Sequence, residues 1–474
     1  MDLCLTLLLL CLCSLGATNA EGAENQSIPL VPLIPLLPSQ PIEKDDSNST
    51  APPEKADVTE SGGPNRTSSD EEAGEGCVSV SRGSQSREAV AASIQKLGVQ
   101  LLRNLETSPE QPNVIISPLS IALALSQLAL GAVNETEELL MRHLHENTLP
   151  CYHQSLHNLL VHLRNNEVQI ATRLFLRQGF KPKQAFLNES LRLYDSEPAI
   201  LESLQQINGW VENATKGRMT DFLPALPPNL LLLLINAVHF KGEWKARFDS
   251  SHTSRGVFHL DEKHVVDVEM MEDAKHPLSL FIDQELEAQV ASFPFLNSMS
   301  LLVVMPLSGQ VNVSSLSANL NISHLYNRLP KERAVQVKVP KFKLEYAQEL
   351  KEVFTKLGLG DVFSSPNLAD MADGPLLVSS VMHKSSMEIN EEGAEAAAAT
   401  TVVISRASNP VFHLTQPFFF ALMDDKSQVP IFMGVINNPN PGAPILQKGD
   451  SGNVDKVGFP IDKHQTGSYG GPPK

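Results

Sequence analysis

The chain has 474 residues, a formal net charge of −17 and 42% hydrophobic residues. This acidity argues against nucleic acid or an anionic membrane as the main partner. The length is sufficient for a large core, and length alone favours two or three domains.

The first twenty residues have the pattern of a secretory signal. They contain an apolar run over residues 5–12 and end in Ala-Thr-Asn-Ala, although Asp2 occupies the usually basic start. The run is too short to span a bilayer, and no later segment is long enough. We therefore expect residues 1–20 to be removed and the protein to be soluble, secreted and extracellular, in plasma.

Cysteines and glycosylation motifs fit this compartment. Three of the five cysteines leave with the signal, so Cys77 and Cys151 remain, and an oxidising environment favours one disulfide between them over two free buried thiols. Eight Asn-x-Ser/Thr motifs predict a glycoprotein. They lie at Asn25, Asn48, Asn65, Asn134, Asn188, Asn213, Asn312 and Asn321.

Residues 21–87 are expected to be mostly disordered, because Pro, Ser, Gly, Asp and Glu cannot bury enough apolar surface to offset the entropy of ordering. Residues 28–38 are an apolar exception, punctuated by proline and therefore extended rather than helical. They are either a docking segment or a linker.

The globular part begins near Glu88 with helices. Apolar spacing predicts a helix over 89–105, and residues 113–132 read as a short strand, a Ser-Pro helix start and a buried helix ending at Gly131. A further helix follows from Ile207, with Gly217 past its end.

Strands dominate the later sequence. Residues 230–239 form a continuous apolar run typical of a central strand, and the alternation over 335–346 predicts one amphipathic strand. A helix is expected over 348–359, and residues 418–436 predict a hairpin turning at 424–427. Helices mainly first and strands mainly later indicate the α+β class.

Residues 388–410 have an unusual composition. Acidic residues and Gly393 come first, small and then β-branched residues follow, and Arg406 precedes a stop at Pro410. Alanine favours a helix, but the β-branched residues favour a strand, which we prefer. Side chains of a strand alternate between faces, and one face is small and uncharged. It consists of Ala394, Ala396, Ala398, Thr400, Val402 and Ile404. Such a segment could slide between two existing strands without burying a charge.

The stretch Glu391-Glu392-Gly393-Ala394-Glu395 with its alanines resembles the hinge of inhibitory serpins. Other landmarks are similar to this family in order along the chain: residues 113–132, 208–218, 236–245, 258–261, 268–271 and 416–418, with Gly434. The resemblance covers about residues 88–443 and implies a single large domain of helices and three β-sheets. It also implies an exposed reactive loop at about 391–410. Residues 413–417 depart from the family pattern.

The resemblance implies that a trypsin-like protease cleaves between Arg406 and Ala407 and is trapped when the hinge-side strand inserts into a sheet. The hinge residues would be Glu392, Gly393, Ala394, Glu395, Ala396, Ala397, Ala398, Ala399 and Thr400. Arg406 follows Gly393 by 13 positions, whereas the usual family spacing would place the cleaved position at Ala407. Ala407 could serve proteases that accept small residues.

The loop, the cysteine pair, two glycosylation motifs and a tail over 444–474 are most similar to serpins that inhibit plasmin. This resemblance implies that the tail, through Lys474 with weaker contacts from Lys463, Lys456 and Lys448, binds kringle modules of plasmin and plasminogen. A glutamine such as Gln26 could be cross-linked to fibrin. We expect a monomer without cofactor or metal.

Other chemistries fit less well. Residues 449–452, Gly-Asp-Ser-Gly, imitate a protease nucleophile loop but have no strand framework around them, so we expect no enzyme activity. The pairs His143 with His145 and His153 with His157 lack further metal-ligand residues and are expected to be solvated. A non-inhibitory serpin, acting as a carrier or chaperone, is the alternative function. The small, uncharged face of the hinge segment argues against it.

Overall fold

The computed structural model describes Cys77 and residues 83–145, 151–163, 168–394 and 409–448. Nine α-helices lie in these ranges, and six of them precede residue 215, as the sequence predicts. They are α1 (Ser84–Asn104), α2 (Pro118–Leu130), α3 (Glu135–Leu144), α4 (Tyr152–Leu163), α5 (Gln184–Tyr194), α6 (Leu204–Ala214), α7 (Val313–Ser317), α8 (Ile322–Asn327) and α9 (Lys351–Phe354). No helix in the described part of the chain is long and apolar enough to cross a bilayer.

Fifteen strands alternate with and follow these helices in the described ranges. They are β1 (Val114–Ile116), β2 (Val168–Arg177), β3 (Ala199–Leu201), β4 (Leu232–Lys241), β5 (Ser254–His259), β6 (His264–Asp283), β7 (Ala288–Pro294), β8 (Met299–Pro306), β9 (Arg333–Pro340), β10 (Phe342–Glu349), β11 (Val378–Ile389), β12 (Val411–His413), β13 (Phe418–Asp424), β14 (Val429–Ile436) and β15 (Ile445–Gln447). This mixture confirms the α+β class.

The strands form a five-stranded sheet in the order β10-β11-β4-β2-β3 and a ten-stranded sheet. The path of the larger sheet is β1-β14-β13-β8-β7-β6-β9-β12, and β5 and β15 also pair with β6. Residues 279–283 of β6 pair with β7, whereas its earlier residues pair with β5, β9 and β15. When these two parts are counted separately, the predicted three sheets are present.

The buried helix α2 packs between the sheets and begins as the sequence predicts. The Ser117 side chain accepts a hydrogen bond from the Ser120 backbone N–H, and Pro118 occupies the first turn, where its missing N–H costs nothing. All its residues except Leu130 are buried, which suits a helix that is mainly apolar on every side.

One predicted strand is wrong. The alternating stretch 335–346 is divided between β9, which pairs with β6 and β12, and β10, which pairs with β11 in the other sheet. The break falls at Pro340 and Lys341, because proline has no N–H to continue a ladder and the chain crosses there from one sheet to the other. The helix expected over 348–359 begins only at Lys351, because β10 continues to Glu349, and it ends in a π-helical turn.

The predicted C-terminal hairpin is confirmed by β13 and β14, which pair antiparallel around a turn at residues 425–428. In that turn the Asp424 carboxylate accepts hydrogen bonds from the backbone N–H and the hydroxyl of Ser427. The strand β15 then extends the larger sheet beyond residue 443, so the first residues of the tail are held by β6.

Candidate functional site

The five-stranded sheet has a seam between β11 and β4. These two strands run parallel and pair from Val378 with Leu232 to Glu388 with Lys241, with one irregularity near the start. Parallel neighbours must come from a crossover connection rather than a hairpin, and their hydrogen bonds are slightly weaker than antiparallel ones. The seam therefore separates β11 and β10 on one side from β4, β2 and β3 on the other.

A buried polar network crosses the middle of this seam. Asn236 of β4 accepts hydrogen bonds at Oδ1 from His383 Nδ1 of β11 (2.7 Å) and from the Ser120 hydroxyl (2.8 Å). Its Nδ2 donates to the Ser120 carbonyl (2.7 Å) and to Thr172 Oγ1 of β2 (3.1 Å). The amide thus connects both halves of the sheet to the first turn of α2, and each bond lies where unpaired groups would be costly.

The network holds His383 neutral. Its Nε2 accepts a hydrogen bond from the Ser117 backbone N–H (3.3 Å), so a proton on Nε2 would face another donor. The side chain is fully buried, and this burial lowers the pKa of His383 to about 3. Sequence reasoning missed His383, Asn236 and Ser117 as a unit, because they lie on three elements far apart in the chain.

We expect this histidine to make stability depend on pH. Because its folded pKa lies below the ordinary value, the unfolded chain takes up the proton first, and stability is lost as pH falls from about 6.5 towards 3. The loss should be about 1.4 kcal/mol per pH unit. Urea unfolding of the parent between pH 7 and pH 5 should show a steeper decline than that of His383→Gln. The exposed control His324→Gln should retain the parent's slope; equal slopes for the parent and His383→Gln would contradict the assignment.

At one end of the seam, β11 continues into residues 390–394, which pair with the segment after β4. The backbone N–H of Trp244 donates to the Glu392 carbonyl (2.9 Å), and that of Ala394 donates to the Trp244 carbonyl (2.9 Å). The Arg247 N–H donates in turn to the Ala394 carbonyl (3.1 Å). A Cβ at Gly393 would lie 2.4 Å from the Trp244 carbonyl oxygen, so only glycine allows this approach.

Ion pairs hold the same segment from its sides. The Glu391 carboxylate accepts a hydrogen bond from the Thr253 hydroxyl (2.8 Å) and pairs with Lys341 Nζ (3.2 Å). Burial by itself would raise the pKa of Glu391, but these hydrogen bonds and the charge of Lys341 lower the pKa overall. Glu392 pairs with Lys241 at 2.6 Å. The start of the predicted hinge is therefore held to β4 and to the β9–β10 crossing.

Trp244 anchors an aromatic cluster beneath the hinge. Its indole is fully buried, stacks on Phe295 with ring centroids 4.3 Å apart and meets Phe248 edge to face. Its Nε1 donates to the Asn390 carbonyl (2.6 Å). Phe248 stacks in turn on the buried His276 at 4.3 Å. The described start of the predicted hinge thus lies on a base of packed rings.

The structure describes three of the nine predicted hinge residues, Glu392, Gly393 and Ala394. Residues 395–400 and the bond between Arg406 and Ala407 lie outside the described residues, as do Gln26, Asn25, Asn48, Asn65, Lys456, Lys463 and Lys474. On the far side of the loop, the Asn409 side chain donates to the Ala274 carbonyl (3.1 Å), and the Pro410 carbonyl accepts from Gln336 N–H (2.8 Å). The two described ends of the loop are thus held on different sheets.

The tail leaves the body at a defined place. Strand β15 pairs Ile445 with Val266 and Gln447 with His264, and the Lys448 N–H donates to the Lys263 carbonyl (2.6 Å). β9 pairs with β6 only from Met270 onward. β15 therefore pairs with the earlier part of β6, which β9 does not reach.

The structure contains the Cys77–Cys151 disulfide that the sequence predicts, with Cα atoms 5.3 Å apart. It joins Cys77 to the residue before α4. Five predicted glycosylation sites, Asn134, Asn188, Asn213, Asn312 and Asn321, are exposed. At Asn312 and Asn321 the side-chain Oδ1 caps a short helix, and this leaves the Nδ2 atom that a glycan would modify unused by the cap.

The expectation of solvated histidines is met only in part, because three of the four rings are half-buried and one is buried. His145 is buried, His143 Nε2 bonds the Leu357 carbonyl, and His157 Nδ1 bonds the Leu193 carbonyl. His153 bonds the Tyr194 hydroxyl, and burial lowers its pKa to about 4. Through these hydrogen bonds α3 contacts Leu357, and α4 contacts the C-terminal end of α5. Across the described ranges, no three His, Cys, Asp or Glu side chains are grouped to hold a metal ion.

Comparisons with known proteins agree with this architecture. Alpha-2-antiplasmin from Bos taurus is 40% identical over 371 residues, covering 77% of this chain and 75% of that protein. The Mus musculus protein of the same name is 42% identical over 378 residues, covering 78% and 77%. The structure of human thyroxine-binding globulin with thyroxine superposes with a TM-score of 0.66 at 26% identity, covering 74% of this chain and 98% of that one.

Residues 92–439 match the family described as Serpin (serine protease inhibitor). The match includes both seam strands, the network at Asn236 and His383, and the hinge. The two relatives and the solved structure each cover about three quarters of the chain. The chain therefore belongs to the serpin family and has the serpin fold.

Proposed function

We propose that this serpin is a secreted inhibitor that traps plasmin and other trypsin-like serine proteases by loop insertion, and so regulates fibrinolysis. The protease serine attacks the carbonyl carbon of Arg406, the bond to the Ala407 nitrogen breaks, and the released amine takes a proton. An ester then joins Arg406 to the protease. Residues on its amino side insert between β11 and β4 and carry the protease away from the loop's original position.

The parallel seam is the observation that supports this proposal most. A strand that follows β11 and turns back between β11 and β4 runs antiparallel to both. One parallel ladder is then replaced by two antiparallel ladders, which are more stable per residue. The gain is available only after cleavage frees one end of the loop. The uncleaved protein therefore persists for kinetic reasons.

The sequence of the inserting segment suits a buried position. On the face that begins at Ala394, all side chains up to Ile404 are small or aliphatic, with no charge to desolvate. Insertion separates Asn236 from His383. The hydrogen bonds of the buried network must therefore break as the strand enters, and they are the barrier to insertion. The hinge contacts at Trp244 open first, because they lie where the strand enters.

The decisive experiment is incubation of the full-length protein with plasmin and with trypsin. An inhibitor of this type forms a complex that survives boiling in detergent, in which the protease is esterified to the cleaved chain. Cleavage of the loop by a non-target protease should raise the midpoint of thermal unfolding greatly, because the strand inserts. If the loop is cleaved with neither a complex nor a stability gain, loop insertion does not occur.

A carrier or chaperone function is the second candidate. Thyroxine-binding globulin, a solved serpin at 26% identity, has been crystallised with thyroxine. A carrier would show no stability gain on loop cleavage, because its loop has no need to insert. The uncharged alternate positions from Ala394 to Ile404 favour the inhibitor, since a loop that never inserts need not avoid charge there.

The tail is proposed to recruit plasmin through its kringle modules. Lys474 lies at the far end of the tail segment 444–474 and carries the ammonium that is proposed to be bound. Kringle modules of plasmin and plasminogen would hold this end in an aromatic-lined trough with charges at both ends. Lys463, Lys456 and Lys448 are proposed to add weaker contacts. Gln26 is proposed as the residue that is cross-linked to fibrin.

Removal of Lys474 should slow plasmin inhibition roughly tenfold or more, because a tethered partner reacts at a high effective concentration. Trypsin, which has no kringles, should be inhibited at an unchanged rate, and a free lysine analogue should remove the difference for plasmin. The matched control Lys456→Gln should have a smaller effect. Equal plasmin rates with and without Lys474 would leave the tail without this role.

A further inference from the structure

We propose that the first sugars of a glycan on Asn321 lie in a groove along α1 and close this groove to free ligands. The groove has a volume of about 520 Å³. One wall is a stripe of side chains on α1, and the other is formed by residues 320–323, immediately before and at the start of α8. The groove is separate from the hinge, the reactive bond and the tail.

The wall on α1 is long and narrow. Its side chains recur at spacings of three and four residues, which places them on one face of the helix. Residues 92 and 103 mark its two ends, and at a rise of 1.5 Å per residue they are about 16 Å apart along the helix axis. The stripe consists of Ala92, Gln95, Lys96, Val99, Gln100 and Arg103. This shape suits an extended row of sugar rings better than a compact ligand.

The glycosylation motif is held firmly against this wall. Ile322 at its centre is buried, and Ser323 donates to Gln95 Oε1 from its hydroxyl (2.7 Å) and from its backbone N–H (3.2 Å). Gln95 Nε2 donates in turn to the Gln428 carbonyl (3.0 Å), which sets the orientation of the amide. Asn321 is exposed and lines the groove, so the motif places this asparagine at the rim.

The side chain of Asn321 is oriented for a glycan that begins inside the groove. Its Oδ1 accepts a hydrogen bond from the His324 backbone N–H (3.0 Å), and this cap fixes the amide at the start of α8. The cap does not use Nδ2, which is the atom that a glycan modifies. A glycan attached there is present at a high effective concentration, so individually weak contacts with the walls are sufficient to keep it in place.

The walls match the two kinds of surface that a sugar ring presents. Hydroxyl and N-acetyl groups need hydrogen-bond partners, and Gln100 and Arg103 supply donors and an acceptor. Arg103 Nε donates to the Ala318 carbonyl (2.5 Å), which holds the guanidinium beside the groove. The apolar C–H faces of a sugar can pack on Val99 and Leu320. Among the described residues that line the groove, none is acidic.

An occupied groove has a consequence for the second candidate function. A glycan that fills this space excludes a free small molecule from it, so a carrier would need a different site. The inhibitor function is unaffected, because the hinge and the seam lie on other elements.

The test is the rate at which peptide N-glycosidase F releases each glycan from the native full-length protein secreted by animal cells, followed by mass spectrometry. Release from Asn321 should be at least about tenfold slower than from Asn312, because only the fraction of glycan that has left the groove is accessible to the enzyme. Asn312 begins α7 and does not line the groove. After denaturation the two rates should be equal.

Two variants connect slow release to the groove. Val99→Trp fills the groove and should raise the rate at Asn321 to that at Asn312, and Gln100→Ala removes a hydrogen-bonding partner and should give an intermediate rate. Leu191→Trp, at an exposed position of α5, is the matched control and should behave as the parent does. Equal rates at the two asparagines of the parent, unchanged release in both groove variants, or an Asn321 without a glycan would overturn the proposal.

Amide hydrogen exchange gives an independent measurement. Asn321→Ser removes the glycan but keeps a residue that can cap α8. We expect faster exchange in residues 92–103 of α1 in this variant, whereas Asn312→Ser should leave their exchange unchanged. Identical exchange in α1 with and without the Asn321 glycan would show that the sugars do not contact this helix. Neither measurement uses a target protease, so both remain decisive if the proposed inhibitor function fails.

Discussion

Replacing Arg406 by glutamate should reduce the rate of complex formation with plasmin and trypsin at least about 100-fold. The specificity pocket of a trypsin-like protease pairs a buried carboxylate with the guanidinium of its substrate. A glutamate would place two like charges in that pocket at a cost of several kcal/mol, and each 1.4 kcal/mol is a factor of ten. The measurement is the second-order rate of forming the detergent-stable complex.

Two controls make this result specific to Arg406. Lys331→Glu makes the same change of charge at an exposed position outside the loop and should leave the rates unaltered. A protease that accepts small residues could cleave after Ala407, and its trapping by Arg406→Glu would show that insertion still works. If Arg406→Glu inhibits plasmin at the parent rate, a residue other than Arg406 occupies the specificity pocket of the protease.

Replacing Gly393 by valine should lower the free energy of unfolding by about 2–4 kcal/mol. Its Cβ would lie 2.4 Å from the Trp244 carbonyl oxygen and 2.9 Å from the Trp244 nitrogen. Both atoms belong to the Trp244 backbone and cannot yield by a side-chain rotation, so the segment must lift away. The hydrogen bonds of Glu392 and Ala394 to Trp244 would then be lost.

Fluorescence reports this displacement directly. The chain has two tryptophans, so in a Trp210→Phe background the emission comes from Trp244, which should shift to the red as its fully buried indole gains contact with water. The matched control is Gly209→Ala inside α6, where a Cβ meets no atom within 4 Å. This control should be neutral or more stable by about 0.5–1 kcal/mol, because alanine favours a helix. Unchanged emission and stability in Gly393→Val would show that the hinge does not need glycine.

The sequence predicted those helices and strands whose signal lies in a few consecutive residues. The Ser-Pro start of α2, the apolar run that became β4 and the hairpin of β13 and β14 each carry their own signal in consecutive residues. The prediction over 335–346 was wrong because alternation does not show which sheet a strand joins. The alternation continues through Pro340 while the chain changes sheets.

The parts of the candidate site that consist of consecutive residues could be predicted from the sequence. The parts that are assembled from distant residues could not. The hinge could be predicted because its acidic residues, glycine and alanines are contiguous. The network of Asn236, His383 and Ser117 could not, since each residue alone resembles an ordinary polar residue in a buried element. The histidines of α3 and α4 were misread for the same reason, because only packing determines which ring faces a neighbouring helix.

The pairing of β1 with β14 has a consequence for how the chain is made. Val114 and Val435 are partners although about 320 residues separate them in sequence. Loop closure over such a distance is slow, so the larger sheet cannot be completed until synthesis is nearly finished. By then β4 and β11 have both emerged and can pair, while β1 and the buried surface of α2 still lack β14. Nascent chains should therefore expose this apolar surface for longest and depend on chaperones until the last strand arrives.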